Sequence, residues 1–155
     1  MRRSGGSLGA NSSRIVAVIL LLLAPSAWAQ WRTELHNFRS LTIADRDLLA
    51  GRLDVGRDVT VAGVLSIPLE AEGRIPAVIL LHGAAGVLPY VTEWQQELAS
   101  MGVAAFLIDS FTPRGIITTI ADQDQLARLN AAVDAYRALA LLSQHPRIDP
   151  NRISC

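Results

Sequence analysis

Two short apolar runs dominate the hydrophobic pattern of the chain. The first covers residues 77–81, and the second covers residues 103–108 and is followed by Asp109. Continuous apolar runs of this length are typical of strands that are buried on both faces, as in parallel sheets covered by helices. A helix is predicted between them, over residues 92–101, so the pattern indicates a right-handed parallel βαβ unit.

The predicted helix has a recognisable signal at each end. Thr92 and Gln95 stand in the hydroxyl-x-x-Gln arrangement of a capping box, which predicts that the helix begins at Thr92. Gly102 suits the position just after a helix end, because glycine adopts a positive φ at little steric cost. We therefore expect the chain to leave the helix at this glycine.

Three further segments have their own patterns. Residues 58–67 are rich in β-branched and aliphatic side chains and predict a strand, with a bulge or turn at Gly63. Residues 122–143 predict a helix that ends before Pro146, because proline cannot continue a helix. Residues 152–155 predict the opening of another strand. The apolar stripe of the long helix is predicted to consist of Leu126, Leu129, Val133, Tyr136 and Ala140.

Together these elements predict an α/β fold with a mostly parallel sheet and flanking helices over residues 57–155. Residues 30–56 follow neither the helical nor the strand period, so we assign them no secondary structure. The aliphatic side chains of that segment are expected to pack on the core. They are Leu41, Ile43, Leu48, Leu49 and Leu53.

Residues 1–29 have the pattern of a secretory signal peptide. Basic residues precede an apolar run over residues 15–24, and Ala27 and Ala29 provide the small side chains that signal peptidase requires. The run is shorter than the about 20 residues of a membrane-spanning helix. We therefore expect cleavage after Ala29, no stable membrane anchor and a periplasmic or secreted protein; a retained anchor is the alternative.

The composition excludes several classes of function. The chain has 14 basic and 14 acidic side chains and no net charge, which gives no electrostatic basis for binding nucleic acid. Cys155 is its one cysteine, so an intrachain disulfide and a cysteine metal cluster are both excluded. The histidines, His36, His82 and His145, have no metal-ligand spacing, and we predict no metal.

Small residues follow the first buried strand, in the order His82-Gly83-Ala84-Ala85-Gly86. Open α/β sheets bind ligands at the carboxyl ends of their strands, and small residues let a backbone N–H approach a ligand oxygen. α/β-Hydrolases form half of an oxyanion hole at such a turn. We predict the Ala84 N–H as an oxyanion donor, with His82 and Gly83 shaping the loop. The alternative is a plain strand-to-helix turn that needs glycine for its dihedral angles.

In order and spacing, four segments resemble the amino-terminal portion of the dienelactone hydrolase family of α/β-hydrolases. They are the strand and loop over residues 75–86, the helix end and strand over residues 98–109, the loop over residues 109–115, and residues 145–153. The resemblance covers roughly residues 57–155. It implies an α/β-hydrolase-type fold and an enzyme that needs no cofactor.

The resemblance also implies a reaction, namely hydrolysis of a small-molecule ester or lactone through an acyl-enzyme. Its nucleophile, Ser or Cys, would lie on a Gly-x-Ser/Cys-x-Gly elbow, followed by Asp and His. All three are expected beyond Cys155, so the chain is predicted to be truncated before the elbow and inactive alone. Arg114 would contact a substrate carboxylate; a surface arginine is the alternative.

Other interpretations start from single residues. Ser154 and Cys155 lack the glycine spacing of an elbow and are expected to be buried strand residues. A triad of Asp109, His82 and Ser110 lacks the sharp turn that exposes a nucleophile, and His82 is expected to hold the loop by hydrogen bonding. A non-catalytic flavodoxin-like or nucleotide-binding module is disfavoured because the loop lacks Gly-x-Gly-x-x-Gly. An inactive hydrolase remnant is the further alternative.

Overall fold

The computed structural model describes residues 30–155, so the predicted signal peptide over residues 1–29 lies outside the described residues. Within the described range, no helix has both the length and the hydropathy to cross a membrane. The strands are β1 (Trp31–Thr42), β2 (Arg57–Pro68), β3 (Ile75–Leu81), β4 (Ala104–Asp109) and β5 (Ile148–Ser154). The helices are α1 (Asp45–Leu49), α2 (Tyr90–Ser100) and α3 (Leu129–Ser143).

These strands form one mixed sheet in the order β1-β2-β4-β3-β5. β3, β4 and β5 are parallel, and the predicted crossover from β3 through α2 to β4 is confirmed. β1 and β2 are antiparallel to their neighbours. α2 packs against β2 and β4, whereas α3 packs against β1, β3 and β5. The sheet therefore has a helix on each face, as an α/β fold requires.

Residues 30–56 were assigned no secondary structure from the sequence, but they contain β1, whose 12 residues all pair with β2. Trp31 pairs with Pro68 at one end of the ladder, and Thr42 pairs with Arg57 at the other. Of the aliphatic side chains expected in the core, Ile43 is buried, but those of Leu49 and Leu53 are exposed. The expectation was wrong for these two because α1 and the turn after it lie at the surface.

The core lies between the sheet and α3. Ile79 of β3, Phe106 and Ile108 of β4, and Ala138 and Leu142 of α3 belong to one cluster of buried side chains. β3 alternates between buried and partly exposed residues, so it is fully covered on one face only. The prediction of a strand buried on both faces is thus wrong for β3, whereas β4 is more completely buried.

Gly63 does not form a bulge, because β2 pairs in continuous register on both sides of it. The Phe106 ring lies directly over this glycine, and a Cβ added at Gly63 would approach the ring atom Cζ to 2.2 Å. Glycine is therefore required here by close packing across the sheet rather than by a turn.

The helix boundaries differ from the prediction at the start and agree at the end. α2 begins at Tyr90, two residues before Thr92, and no side chain caps it. Thr92 therefore lies within the helix rather than at its N-cap position, and the Gln95 side chain donates to Ser66 Oγ across 3.0 Å. Gly102 has a φ of +72°, which confirms its predicted position after the helix end.

The predicted apolar stripe of the long helix is not its buried face. Residues 123–125 form a separate 3₁₀ turn, and α3 begins only at Leu129. Tyr136, expected in the stripe, is 74% exposed. The residues that are buried lie one helical turn apart along a different face, and they are Asn130, Asp134, Ala138 and Leu142.

Candidate active site

A tight turn follows β3 at the edge of the sheet where the parallel strands end. The Gly86 N–H donates to the Gly83 carbonyl at 3.0 Å and closes the turn. Gly86 has a φ of +80°, and a Cβ at this position would approach the Ile117 carbonyl oxygen to 2.8 Å. Both the dihedral angle and the close approach of another backbone therefore require glycine here.

His82 connects the ends of β3 and β4. Its side chain is 2% exposed, its Nδ1 lies 3.0 Å from the Gly83 carbonyl oxygen, and its Nε2 accepts the Ser110 N–H at 3.1 Å. Because Nε2 is an acceptor, the ring proton belongs on Nδ1, which donates to Gly83. The Phe111 ring packs edge-on against the imidazole, with ring centroids 4.4 Å apart. The His82 side chain thus fixes the start of the loop.

The two backbone polar groups of Ala84 differ in their hydrogen bonding. Its carbonyl oxygen accepts the Thr119 N–H at 2.8 Å and the Thr118 hydroxyl at 3.0 Å. Its N–H donates to no acceptor within residues 30–155. A backbone donor left in this state beside a cavity is available to a ligand oxygen.

The loop borders a cavity of about 210 Å³ at the carboxyl ends of β3 and β4. The cavity wall includes His82, Ala84 and Phe111 on the strand side, and Leu126 and Arg128 on the side of α3. Its lining is mainly apolar, with polar side chains among the lining residues, as is usual for a small-molecule site. The sheet edge and the loop are arranged as in open α/β sheets that bind ligands there.

Asp109, at the end of β4, organises the turn that follows it. Its Oδ1 accepts the Phe111 N–H at 3.0 Å and the Thr112 N–H at 2.9 Å. Burial raises the pKa of Asp109, but hydrogen bonds from Thr112 and Phe111 and the nearby His82 outweigh this and hold the pKa below its ordinary value. His82 Nε2 lies 3.9 Å from Oδ1 and accepts the Ser110 N–H. The three residues are therefore not arranged as an Asp–His–Ser triad.

Arg114, which we expected to contact a substrate carboxylate, has no donor left for one. Nε donates to Thr42 Oγ1 at 2.9 Å, Nη1 donates to the Ser110 carbonyl at 2.7 Å, and Nη2 donates to the Leu41 carbonyl at 2.8 Å. The remaining two N–H groups bind Asp134 at 2.8 and 2.9 Å. The Arg114 side chain is 1% exposed and that of Asp134 is 0% exposed. In the structure Arg114 is therefore part of a buried ion pair.

This ion pair is connected to the loop through hydrogen bonds. Arg114 donates to the Ser110 carbonyl, the Ser110 N–H donates to His82, and His82 donates to Gly83, the residue before Ala84. The Ser110–His82 hydrogen bond joins residues 28 positions apart in the sequence, and the Arg114–Asp134 pair joins residues 20 positions apart. The position of the loop therefore depends on α3 as well as on β3. Buried side chains that support a site in this way hold its geometry.

The polar partners on α3 were missed by the sequence analysis. Asn130 exchanges two hydrogen bonds of 2.9 Å with the backbone of Ile43, as a neighbouring strand would. Asp134, one turn later, also accepts from Ser40. The available signal was that Asn130 and Asp134 are four residues apart, in line with Ala138 and Leu142.

The two residues at the end of the sequence were expected to be buried. Ser154 ends β5 and is exposed, and Cys155 is an exposed free thiol. The expectation was wrong because β5 is the last strand of the described sheet. Its outer edge therefore has no neighbour within residues 30–155.

Comparison with known proteins identifies the fold. No family model matches the sequence, and no curated protein matches it. Among solved structures, a dienelactone hydrolase-like promiscuous phosphotriesterase from metagenomic libraries superposes with a TM-score of 0.52 and 16% identity, over 79% of this chain and 48% of that chain. A protein from Klebsiella pneumoniae described as a dienelactone hydrolase superposes with a TM-score of 0.51 and 15% identity, over 77% of this chain and 48% of that chain. The chain has a dienelactone hydrolase-like α/β fold.

The chain matches only part of the length of these solved structures. A hypothetical protein from Pseudomonas aeruginosa superposes with a TM-score of 0.51 and 18% identity, over 81% of this chain and 34% of that chain. The chain thus spans about half, or less, of the length of these structures. At such identities the likeness concerns the fold, and function has to be argued from the site.

Proposed function

We propose that this chain is the amino-terminal part of a periplasmic or secreted, dienelactone hydrolase-like enzyme that hydrolyses carboxylic ester or lactone bonds through an acyl-enzyme. The observation that carries the proposal is the loop after β3. It places the Ala84 N–H beside a mainly apolar cavity and leaves that N–H without an acceptor among the described residues.

The proposed role of Ala84 is to stabilise negative charge. When a nucleophile attacks an ester or lactone carbonyl, the carbonyl oxygen becomes an oxyanion, and a backbone N–H aimed at it stabilises the transition state by about 3–4 kcal/mol. In α/β-hydrolases the second donor is the N–H of the residue after the nucleophile. In this proposal that residue, the nucleophile, the acid and the base all lie beyond Cys155.

The fixed ring of His82 supports placing the general base beyond Cys155 rather than in this loop. Since Nε2 accepts the Ser110 N–H, His82 is a positioning residue rather than a proton carrier. The proposed enzyme therefore needs a second histidine as its general base. Arg114 is left out of the proposed substrate site because all its donors are used internally.

The first test is to sequence the genomic locus past the Cys155 codon. An in-frame Gly-x-Ser-x-Gly or Gly-x-Cys-x-Gly within about ten codons, with Asp and His further on, supports the proposal and names the nucleophile. A stop codon at that point would contradict it and favour an inactive remnant or a binding module.

The second test uses the protein encoded by the complete reading frame. With p-nitrophenyl esters as substrates, Ala84→Pro removes the N–H and is expected to lower kcat by about 10²–10³, whereas Ala84→Gly keeps the N–H and serves as the matched control. Equal losses in both variants would mean that Ala84 is not an oxyanion donor. Because one structural neighbour is described as a phosphotriesterase, a phosphotriester belongs in the same assay.

Localisation needs a separate test. Mass spectrometry of the protein from a periplasmic or culture fraction should find an amino terminus at Gln30. Recovery of the uncleaved chain in the membrane fraction would instead support a retained anchor.

A further inference from the structure

We propose that Glu34, His36 and His145 form a zinc-binding site that joins β1 to the end of α3. The sequence alone predicts no metal here, because His145 lies 109 positions after His36 and the spacing shows no relation between them. Folding brings both imidazoles to the same carboxylate oxygen. The site is separate from the proposed hydrolase site and does not depend on it.

The three side chains converge closely. Nε2 of His36 and Nε2 of His145 each lie 3.0 Å from Oε2 of Glu34. The ligand atoms all lie within 4.8 Å of one another, and the two rings are nearly perpendicular, at 84°. Zinc bonds of about 2.0–2.2 Å in a tetrahedron separate ligand atoms by roughly 3.3–3.6 Å, so a small movement admits the ion.

The backbone explains this convergence. Glu34 and His36 are two residues apart on β1, so their side chains lie on the same face of the sheet. His145 comes two residues after the end of α3, where the last carbonyl groups of a helix favour a cation. The three side chains are between 11% and 25% exposed, which leaves a route for a hydrated ion.

The donor set selects the class of metal. Two imidazoles and one carboxylate are ligands that zinc accepts, with a water molecule in the fourth position. Glu34 has its other oxygen, Oε1, bound by Arg32. That contact orients the carboxylate and leaves Oε2 for the metal, as outer-shell partners do in zinc proteins.

Zinc binding also changes one backbone hydrogen bond. The Arg147 N–H donates to Nδ1 of His145 at 3.2 Å. A metal on Nε2 requires the ring proton on Nδ1, so this hydrogen bond must break. Because of this cost we expect weaker binding than at a closed structural zinc site, and the Arg147 amide becomes a specific reporter of ligation by His145.

The test is a zinc titration of the chain produced without a histidine tag. We expect one zinc ion per chain by calorimetry and, with Co²⁺ as the probe, the visible absorption of a tetrahedral site. His36→Gln and Glu34→Gln should each weaken binding by at least about 10-fold, since losing a ligand costs no less than losing an outer-shell partner. Asp58→Asn removes an exposed carboxylate of β2 and is the matched control, expected to bind as the unmodified chain does.

Nuclear magnetic resonance of the unmodified chain gives a readout that does not depend on any variant. Addition of zinc should shift the Arg147 amide resonance together with the ring resonances of His36 and His145. Zinc binding that is equal in His36→Gln and the unmodified chain, or that leaves the Arg147 amide unchanged, would overturn the proposal. The three residues would then be a hydrogen-bonded cluster only.

Discussion

At the β1 edge of the sheet, α3 is held by buried polar side chains whose partners are complete, whereas near the β5 edge apolar side chains stay exposed. Asp134 on α3 binds Arg114 and Ser40, and within residues 30–155 no buried side-chain nitrogen or oxygen lacks a partner. Near β5, the side chains of Leu81 and Tyr136 border an open apolar groove of about 320 Å³. The first region is closed by its own residues, and the second presents a surface that another polypeptide could cover.

The contrast shows that polarity and burial are not the same property. The most buried face of α3 contains Asn130 and Asp134, while its more exposed face contains Tyr136. Charged groups tolerate burial when every donor and acceptor is matched, and apolar groups stay at a surface when nothing packs on them.

Loss of Asp134 should have the largest effect. Asp134→Asn leaves the Arg114 guanidinium buried without its counter-charge, which is expected to lower the free energy of unfolding by about 3–5 kcal/mol. The measurement is chemical denaturation followed by circular dichroism. Arg39→Ala is the control, because the Arg39–Asp58 pair is exposed and should contribute no more than about 1 kcal/mol. Similar losses in the two variants would contradict the assignment of a closed polar core.

Crowding at Gly63 should have the next largest effect. In Gly63→Ala the new methyl group would lie 2.2 Å from Phe106 Cζ, so the ring has to move within a packed core. We expect a loss of about 1–3 kcal/mol in the free energy of unfolding. Gly83→Ala is the control, because Gly83 is exposed and has open space around its Cβ position. Gly73→Ala is unsuitable as a control because Gly73 has a positive φ. A neutral result for Gly63→Ala would show that Phe106 does not pack on Gly63.

Acid should reveal the hydrogen bonds of Asp109. Its folded-state pKa is lowered from 3.8, so its contribution to stability is present above that value and is lost as the pH falls through the folded-state pKa. Asp109→Asn should therefore be less stable than the unmodified chain at pH 7, and the difference should shrink in acid. Denaturation at a series of pH values measures it. A difference that is constant with pH would contradict the direction of the shift.

Much of the fold could be predicted because its signals are local. The apolar runs of β3 and β4 and the glycine after α2 each lie within a few adjacent residues, and all three were placed correctly. β1 was missed because its exposed face is polar and its period is weak. Pairing with β2 stabilises β1 through backbone hydrogen bonds, which leave no pattern in the sequence.

The candidate site could be predicted only in part, because some of its residues contact partners that are distant in the sequence. The position of the His82–Gly86 loop follows from the end of a strand and a run of small residues. The partners of Arg114 do not, because Thr42 and Asp134 lie 72 and 20 residues away from it in the sequence. A hydrophobic pattern treats Asp134 as exposed, so the pattern alone selects the wrong face of α3.

Substitution of Tyr136 should have the smallest effect on stability, and it tests the open side of the comparison. Because Tyr136 is 74% exposed, Tyr136→Lys should change the free energy of unfolding by no more than about 0.5 kcal/mol. The same change places a charge beside the apolar groove near β5, so it should reduce concentration-dependent association of the chain, measured by analytical ultracentrifugation. Arg137→Ala changes a charge at the next, also exposed, position and is the control. If the unmodified chain is a soluble monomer that unfolds cooperatively, the apolar surface near β5 needs no partner to cover it. The two edges would then differ in how polar their side chains are, and not in whether a second polypeptide has to cover them.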